Sequence, residues 1–565
     1  MNKKRAIILN TAIIFSFFLV FFRLADLMIF NHERLAQKAK RQYTKSEDIQ
    51  VRRGLIFDRA GRELALNLEL ESLVCDPQKI RLNTQDVRKL TSVISEDPRV
   101  FLAKIPERGR FAWIQRKLEP QTAEQVRKLN LEGFYFMPEA KRFYPREQLA
   151  SHILGFTGID NQALEGIELK YDKHLTTAGG KVYFRTDAGG NTLSSGVDIE
   201  AKGNNLVLTI DEVLQGIAER EIDIAMSQWK ASAVSVIMMD PYTGEILAMA
   251  NRPTYNPNTG NDAKANTRRN RAITDCFEPG STFKLVIGLA ALEEKIYKPA
   301  SLFDVSKGSI EVGGKSIRDI HKNQVLSFKE IIQKSSNVGA IKIGLKLGKD
   351  RVYKYARLLG FGEKTGIDLP GEVSGWIYSP EKWSGTSIGA ISIGQEVAVT
   401  ALQVLRAYTT VANGGYLVTP HVVSRVLSPD GDSIHTVDIE RKRVISSRTA
   451  ETFREILRSV TEEDGTGTTA AIEGNDVAGK TGTAQMINPE TKHYSKEKYI
   501  SSFVGFVPAH DPRLAMIVVI YEPKGQIYGG VVAAPVFREI ATQALSYIGV
   551  PRQDMLQYHA VFTSR

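Results

Sequence analysis

An uncharged, mostly apolar run from Ala6 to Phe22 follows Lys3-Lys4-Arg5, and the pattern continues past Arg23 and Asp26 to Phe30. In lipid, a segment of this length satisfies its backbone only as a helix. It is longer than a typical signal-peptide core, and no convincing small-x-small cleavage site follows it. The expectation is an uncleaved anchor over residues 6–30. Residues 1–5 are its cytoplasmic tail, because basic residues stay inside, and the chain beyond about residue 30 lies outside the cytoplasm. Arg23 and Asp26, three apart on a helix, are placed to pair near the outer interface.

The remainder of the 565 residues suggests two to four domains, and a 42% hydrophobic, 24% charged composition is that of folded protein. A net charge of +10 suits an anionic partner. No nucleic-acid-binding motif is present, so a membrane surface or an acidic polymer fits better than nucleic acid. Cys75 and Cys276 do not make a disulfide scaffold, and Cys276 reads as a small buried thiol.

Residues 31–50 read as a charged, helix-compatible stalk. Ile56-Phe57 reads as a short strand before the polar turn Asp58 to Gly61. Gln121 to Leu129 reads as a helix, and Phe134 to Met137 as a strand ahead of Pro138. His152 has no cluster of partners nearby and reads as structural. Gly179-Gly180 and Gly189-Gly190 punctuate a loop-and-hairpin region. Residues 31–204 thus carry no catalytic signature. The character changes at Asn205: a strand leads to a helix with Leu214, Ile217, Ala218 and Ile222 at helical spacing, then to strands over 233–239 and 245–250. Arg268, Arg269 and Arg271 mark a basic loop expected to be solvated.

That loop leads into Glu278-Pro279-Gly280-Ser281-Thr282-Phe283-Lys284 and the apolar Leu285 to Leu292. Pro-Gly is a turn, and the run behind it predicts a buried helix opening at or beside Ser281. Ser281 and Lys284 then share a face at the positive end of the helix. A hydroxyl beside an amine, near unpaired N–H groups, is raw material for an activated serine. The chain beyond reads as largely helical to Leu359, broken by a Ser335-Ser336-Asn337 loop that presents its side chains. Val477 to Gln485, containing Lys480-Thr481-Gly482-Thr483, reads as a strand, as do 501–506 and 514–521. A helix over 534–548 follows, with no repeated module behind it. Ser-x-x-Lys alone is common, but Ser281-x-x-Lys284, Ser335-x-Asn337 and Lys480-Thr481-Gly482 in this order are a recognised set.

With these motifs, the chain resembles the class B penicillin-binding proteins, the D,D-transpeptidases that cross-link peptidoglycan. The resemblance extends to the Arg53-Gly54 to Ala65 box, Arg142 to Pro145 and Gly166-Ile167-Glu168, and it is greatest to the division-specific branch, through 503–509 and 528–537. It implies an α/β (α+β) transpeptidase domain over 205–565, with an antiparallel sheet flanked by helices. A non-catalytic pedestal over 31–204 and the single transmembrane helix would precede it. It implies Ser281 as nucleophile, Lys284 as general base, Ser335 as proton relay to the leaving amine, and Asn337 as ligand of Lys284 and the substrate backbone. Lys480 would stabilise negative charge and orient Ser335. Thr481 and Thr483 would bind the substrate carboxylate, and Gly482 would leave room for substrate along the strand. The backbone N–H groups of Ser281 and Thr483 would form the oxyanion hole. No metal or organic cofactor is implied. The implied ligands are donor and acceptor pentapeptide stems and β-lactams, and the implied partners are a SEDS-type, FtsW-like glycosyltransferase and other division proteins. An elongation-type transpeptidase, a β-lactamase and a non-catalytic β-lactam sensor are the competing readings. A large anchored segment before residue 205, and the lack of an obvious water-activating Glu, weigh against the β-lactamase.

Overall fold

The structure is a computed structural model that describes residues 3–35, 44–49, 52–176, 180–186, 192–198, 202–487, 491 and 493–552. Two compact units emerge, one of 1–52 with 176–203 and the other of 53–175 with 204–565. In the first, Lys3–Ala25 is an α-helix continued by a π-helical turn Asp26–Phe30, and this span is long and apolar enough to cross a membrane. Arg23 and Asp26 pair at 2.8 Å, as their spacing predicts. The stalk departs from expectation, because Thr44–Ile49 is a strand. It pairs antiparallel with Gly180–Thr186, which pairs with Thr192–Asp198. Of the expected glycine-punctuated hairpin, Gly179, Gly189 and Gly190 lie outside the described residues.

The second unit draws two distant stretches of chain into one sheet. Ile56–Phe57 pairs antiparallel with Glu63–Cys75 and in parallel with Asn205–Leu208, where Ile56 meets Leu206. Residues 53–175 therefore pack with 204–565, and the expected boundary at 204/205 does not mark a break in packing. Phe134–Phe143 runs on through Pro138 rather than stopping before it. The strand pairs with Glu63–Cys75, and Pro138 opposite Glu71 is tolerated because the strand lies at an edge.

The part of this unit that carries the three motifs is built on five antiparallel strands: β1 (Ala233–Met239), β2 (Ile246–Arg252), β3 (Ala478–Ile487), β4 (Tyr494–Val507) and β5 (Leu514–Tyr521). Their spatial order is β2-β1-β5-β4-β3, which leaves β3 at an edge. The apolar runs of β1 and β5 are continuous rather than alternating because both faces are covered. Val234, Val236, Met516 and Val518 face the helices Glu212–Trp229 and Ala534–Tyr547. Ile237, Met239, Ile517 and Val519 face the core that includes α1 (Lys284–Glu293) and α2 (Ala401–Ala412). The antiparallel sheet flanked by helices is the one expected.

Between Ser281 and Leu359 the chain is less helical than its pattern suggests. Leu302–Asp304 pairs with Val325–Ser327, and Ser309–Val312 with Lys315–Arg318. Two further expectations fail. Cys276 is exposed, whereas Cys75 is buried. The basic loop is not simply solvated: Arg268 pairs with Glu165 at 3.0 Å, and Arg271 is buried against Asp275 at 2.8 Å. His152 is structural as expected. Its Nε2–H donates to the Thr267 carbonyl, and burial pushes its pKa down to about 4.

Candidate active site

Ser281 lies on a 3₁₀ turn, Gly280–Phe283, that runs directly into α1 at Lys284. In a 3₁₀ turn residues three apart eclipse, so the motif spacing stacks the two side chains. Lys284 Nζ lies 3.0 Å from Ser281 Oγ. Gly280 adopts φ +54°, and a Cβ there would meet the Thr483 carbonyl oxygen at 2.8 Å, so a glycine lets the turn press against edge strand β3. Tyr408 of α2 braces the turn from behind, its buried hydroxyl donating to the Thr282 carbonyl at 2.9 Å.

The second motif is delivered by a strained residue. Ser335 follows the Phe328–Gln333 helix with φ +58°, in the left-handed region where a residue with a Cβ is uncommon. This turn aims both its carbonyl oxygen, at 2.7 Å, and its Oγ, at 3.1 Å, at Lys284 Nζ. Ser336 caps the helix Asn337–Leu347, whose first residue turns Oδ1 to Lys284 Nζ at 2.9 Å. One amine thus touches Ser281, Ser335 and Asn337.

Asp319 holds this loop, and sequence reasoning missed it. Its carboxylate accepts from Asn337 N at 2.5 Å, Val338 N at 3.0 Å and Ser336 Oγ at 2.8 Å. It leaves the hairpin Ser309–Arg318 inside a stretch that reads as helical, so nothing in its local pattern marks it. Glu278 was also missed. Its Oε1 accepts from Glu396 N at 2.9 Å and the Tyr494 hydroxyl at 3.0 Å, tying the approach to Ser281 to two other segments, while burial raises its pKa.

Lys284 is wholly buried, and desolvation pulls its pKa down to about 7 against a smaller upward pull from Asp319. At neutral pH much of it is the free base. Lys480, also wholly buried, sits well below the usual ammonium range, through desolvation first and Lys284 second. Its Nζ donates to the Thr481 carbonyl at 3.3 Å and Thr481 Oγ1 at 3.4 Å, rather than to Ser335 as expected. Gly482 lies against Thr282 of the Ser281 turn, while Thr481 and Thr483 face Thr466 and Gly529.

Gly482 also has a different reason from the one expected. A Cβ there would meet Ser502 Oγ at 2.3 Å and Thr282 Cγ2 at 2.9 Å, so its space belongs to the Ser281 turn rather than to substrate. Thr481 Oγ1 is 2.8 Å from Thr466 Oγ1, and Thr483 Oγ1 accepts from Gly529 N at 3.1 Å. Thr466 had no signal beyond its Gly465-Thr466-Gly467 turn. Because β3 is an edge, the backbone groups of Thr483 on that side face the Ser281 turn, as the Gly280 contact shows. No group of three or more potential metal ligands occurs among the described residues.

The chain is similar to known proteins along most of its length. The penicillin binding protein transpeptidase domain matches residues 234–542, and the penicillin-binding protein dimerisation domain matches 48–208. The probable peptidoglycan D,D-transpeptidase PenA of Neisseria meningitidis is 34% identical over 541 residues, covering 94% of this chain and 90% of its own. Peptidoglycan D,D-transpeptidase FtsI of Escherichia coli is 33% identical over 92% of this chain and 87% of its own. Among solved structures, penicillin binding protein 3 of Mycobacterium tuberculosis, complexed with aztreonam, is 28% identical with a TM-score of 0.70, covering 90% and 98% of the two chains. The transpeptidase-domain match over more than half of the chain, together with relatives about a third identical along nearly its whole length, places this chain in the penicillin-binding protein transpeptidase family.

Proposed function

We propose that the protein cross-links peptidoglycan stem peptides at the division septum through an acyl-enzyme on Ser281. The observation that carries this reading is the convergence on Lys284 Nζ of Ser281 Oγ, Ser335 Oγ and Asn337 Oδ1, all within 3.1 Å, on an amine whose pKa is about 7. Neutral Lys284 takes the Ser281 proton as Oγ attacks the carbonyl of the penultimate D-alanine. The N–H groups of Ser281 and Thr483 receive the oxyanion. Collapse breaks the peptide bond, and Ser335 relays the proton held on Lys284 to the departing D-alanine amine, leaving Lys284 neutral and an ester on Ser281. The amine of a second stem attacks that ester and gives up a proton to Lys284, which returns it to Ser281 Oγ as the ester breaks. The stem carboxylate binds along β3 beside Thr481 and Thr483, where its charge favours protonated Lys480. A β-lactam enters the same first step and stays on Ser281.

Fluorescent-penicillin labelling of wild type and Ser281→Ala, with mass spectrometry of the adduct, tests the site. The adduct is expected on Ser281 and nowhere in the variant; equal labelling of the variant overturns the assignment. The Lys3–Phe30 helix and its basic start support an anchor in the cytoplasmic membrane with the catalytic unit outside. In this reading, residues 31–204, with the anchor, engage a SEDS-type glycosyltransferase and other division proteins. Depletion is expected to give filaments. Spheres would assign the protein to elongation instead.

A further inference from the structure

A cavity of about 830 Å³ opens between the end of the helix Lys349–Leu358, the turn from Gly360 to Thr365, α2 and the paired strands Tyr416–Val418 and Arg441–Arg443. None of its lining takes part in the chemistry proposed at Ser281. Tyr353, Leu358 and Leu417 give it an apolar wall, and the rest of the lining carries six cations against two carboxylates. A basic stretch of surface is ordinarily a solvated face, so what matters is how each charge is answered.

Lys354 is answered from outside the lining by Glu294 at 3.4 Å, and Arg357 by Glu363. Lys364, Arg406, Arg441 and Lys442 form no ion pair among the described residues, and the lining carboxylate left to them is Glu440.

Of these four, Arg406 is built into the wall. Its Nε–H donates to the Val418 carbonyl at 2.7 Å. Gly360, at φ +86°, clears the space beside it: a Cβ there would come within 3.2 Å of Arg406 Nη1 and 3.5 Å of Leu417 Cδ2. Burial pulls the Arg406 pKa down, against smaller upward pulls from Glu372 and Glu363. Neither carboxylate reaches it as a partner, since Glu372 is spent on Thr365 N and Oγ1, at 2.6 and 2.5 Å, and Glu363 on Arg357. The two terminal nitrogens of Arg406 have no hydrogen-bond partner among the described residues and are not sealed off: both keep accessible surface in the cavity wall. A guanidinium held by one edge and open at the other presents the planar fork that an oxyanion accepts in two parallel bonds.

Charge and size say which oxyanion. A monocarboxylate would answer Arg406 and leave Lys364, Arg441 and Lys442 against Glu440 alone. A phosphate monoester brings about 1.5 to 2 negative charges on one centre. The volume is that of a site for an organic molecule rather than a bare ion, and Tyr353, Leu358 and Leu417 offer the carbon part an apolar surface.

We propose that this cavity binds a small organic phosphate, its phosphate on the Arg406 Nη groups with Lys364 and Lys442 supplying the further positive charge.

The test is calorimetric titration of the full chain in detergent at fixed ionic strength, with phenyl phosphate, benzoate and inorganic phosphate as probes. Phenyl phosphate is expected to bind at one site, about tenfold or more tighter than benzoate, which keeps the ring with a single charge, and tighter than inorganic phosphate, which lacks the ring. Arg406→Gln is expected to weaken phenyl phosphate by about ten- to a hundredfold. Lys364→Gln combined with Lys442→Gln is expected to weaken it by about three- to tenfold. Those two side chains are exposed and unpaired, so the double variant is expected to melt like wild type and carries the test if Arg406→Gln does not fold. Arg99→Gln removes the same charge from an exposed residue outside the cavity and is expected to change nothing. If Arg99→Gln weakens binding as much as the cavity variants do, the affinity is that of net charge alone and the proposal is overturned. It is equally overturned if phenyl phosphate does not bind, if benzoate binds as tightly, or if the folded cavity variants bind undiminished.

Discussion

Two buried charge clusters in the same compact unit behave in opposite ways. Around Glu168, two arginines converge: Arg53 at 2.7 Å and Arg142 at 2.6 Å, with Asp172 completing Arg53 at 2.7 Å. Burial opposes the Arg53 charge, but Glu168 and Asp172 outweigh it and its pKa rises. Around Ser281, two lysines are buried with Asp319, among the described residues, as the carboxylate acting on Lys284, and the pKa of each falls. Balanced charge locks distant segments together; unbalanced buried amines are pulled toward their neutral form. The first cluster joins 53 to 142 and 168, and the second sets Lys284 against Ser281 Oγ.

The comparison breaks most sharply at Lys284. Lys284→Met is expected to slow Ser281 acylation by about 10²–10⁴-fold, measured by stopped-flow or gel labelling with fluorescent penicillin. In wild type the acylation rate is expected to rise as pH passes upward through about 7, because the lowered pKa puts the neutral form above that point. The same shift links to stability. The penalty of burying a charged Lys284 is full below about pH 7 and is relieved as pH climbs toward the ordinary lysine value of 10.5.

The opposite cluster is expected to answer in stability. Glu168→Ala strands two buried guanidiniums and is expected to cost about 3–5 kcal/mol, read from denaturant unfolding, with labelling of the surviving folded fraction still confined to Ser281. A variant as stable as wild type would mean the cluster is not a lock.

Asp319→Asn touches the site through its loop. It is expected to slow acylation by about ten- to a hundredfold by loosening the 335–338 turn. Because Asp319 raises the Lys284 pKa, its removal is expected to move the acid limb of the pH profile to lower pH. An unmoved limb would leave Asp319 a purely structural residue. The smallest effect is expected at Lys480→Met, which removes a buried amine with only two long hydrogen bonds. Melting temperature is expected to rise by about 2–4 °C, while acylation falls.

Much of this was legible in the chain. The strands over 233–239 and 514–521 were visible because a sheet covered on both faces demands unbroken apolar runs. The three motifs were legible because each holds chemistry in a fixed local spacing. The short strands between 302 and 327 were not legible, being too brief to establish a period. Asp319 was invisible for the same reason, and the exposure of Cys276 depends on where other segments stop.

The sequence by itself determined the long apolar N-terminal helix, the sheet strands, the order of the motifs and which serine stands three residues before a lysine at a helix start, all of which are local patterns. Only the tertiary structure decided which face of β3 carries Lys480, why Gly482 must lack a side chain, that residues 53–175 pack with the catalytic half, and that Lys284 titrates near neutrality. Those depend on what surrounds a group rather than on what precedes it. Desolvation, close approach and ion pairing are summed over neighbours from many parts of the chain, and their result appears only when the chain is folded.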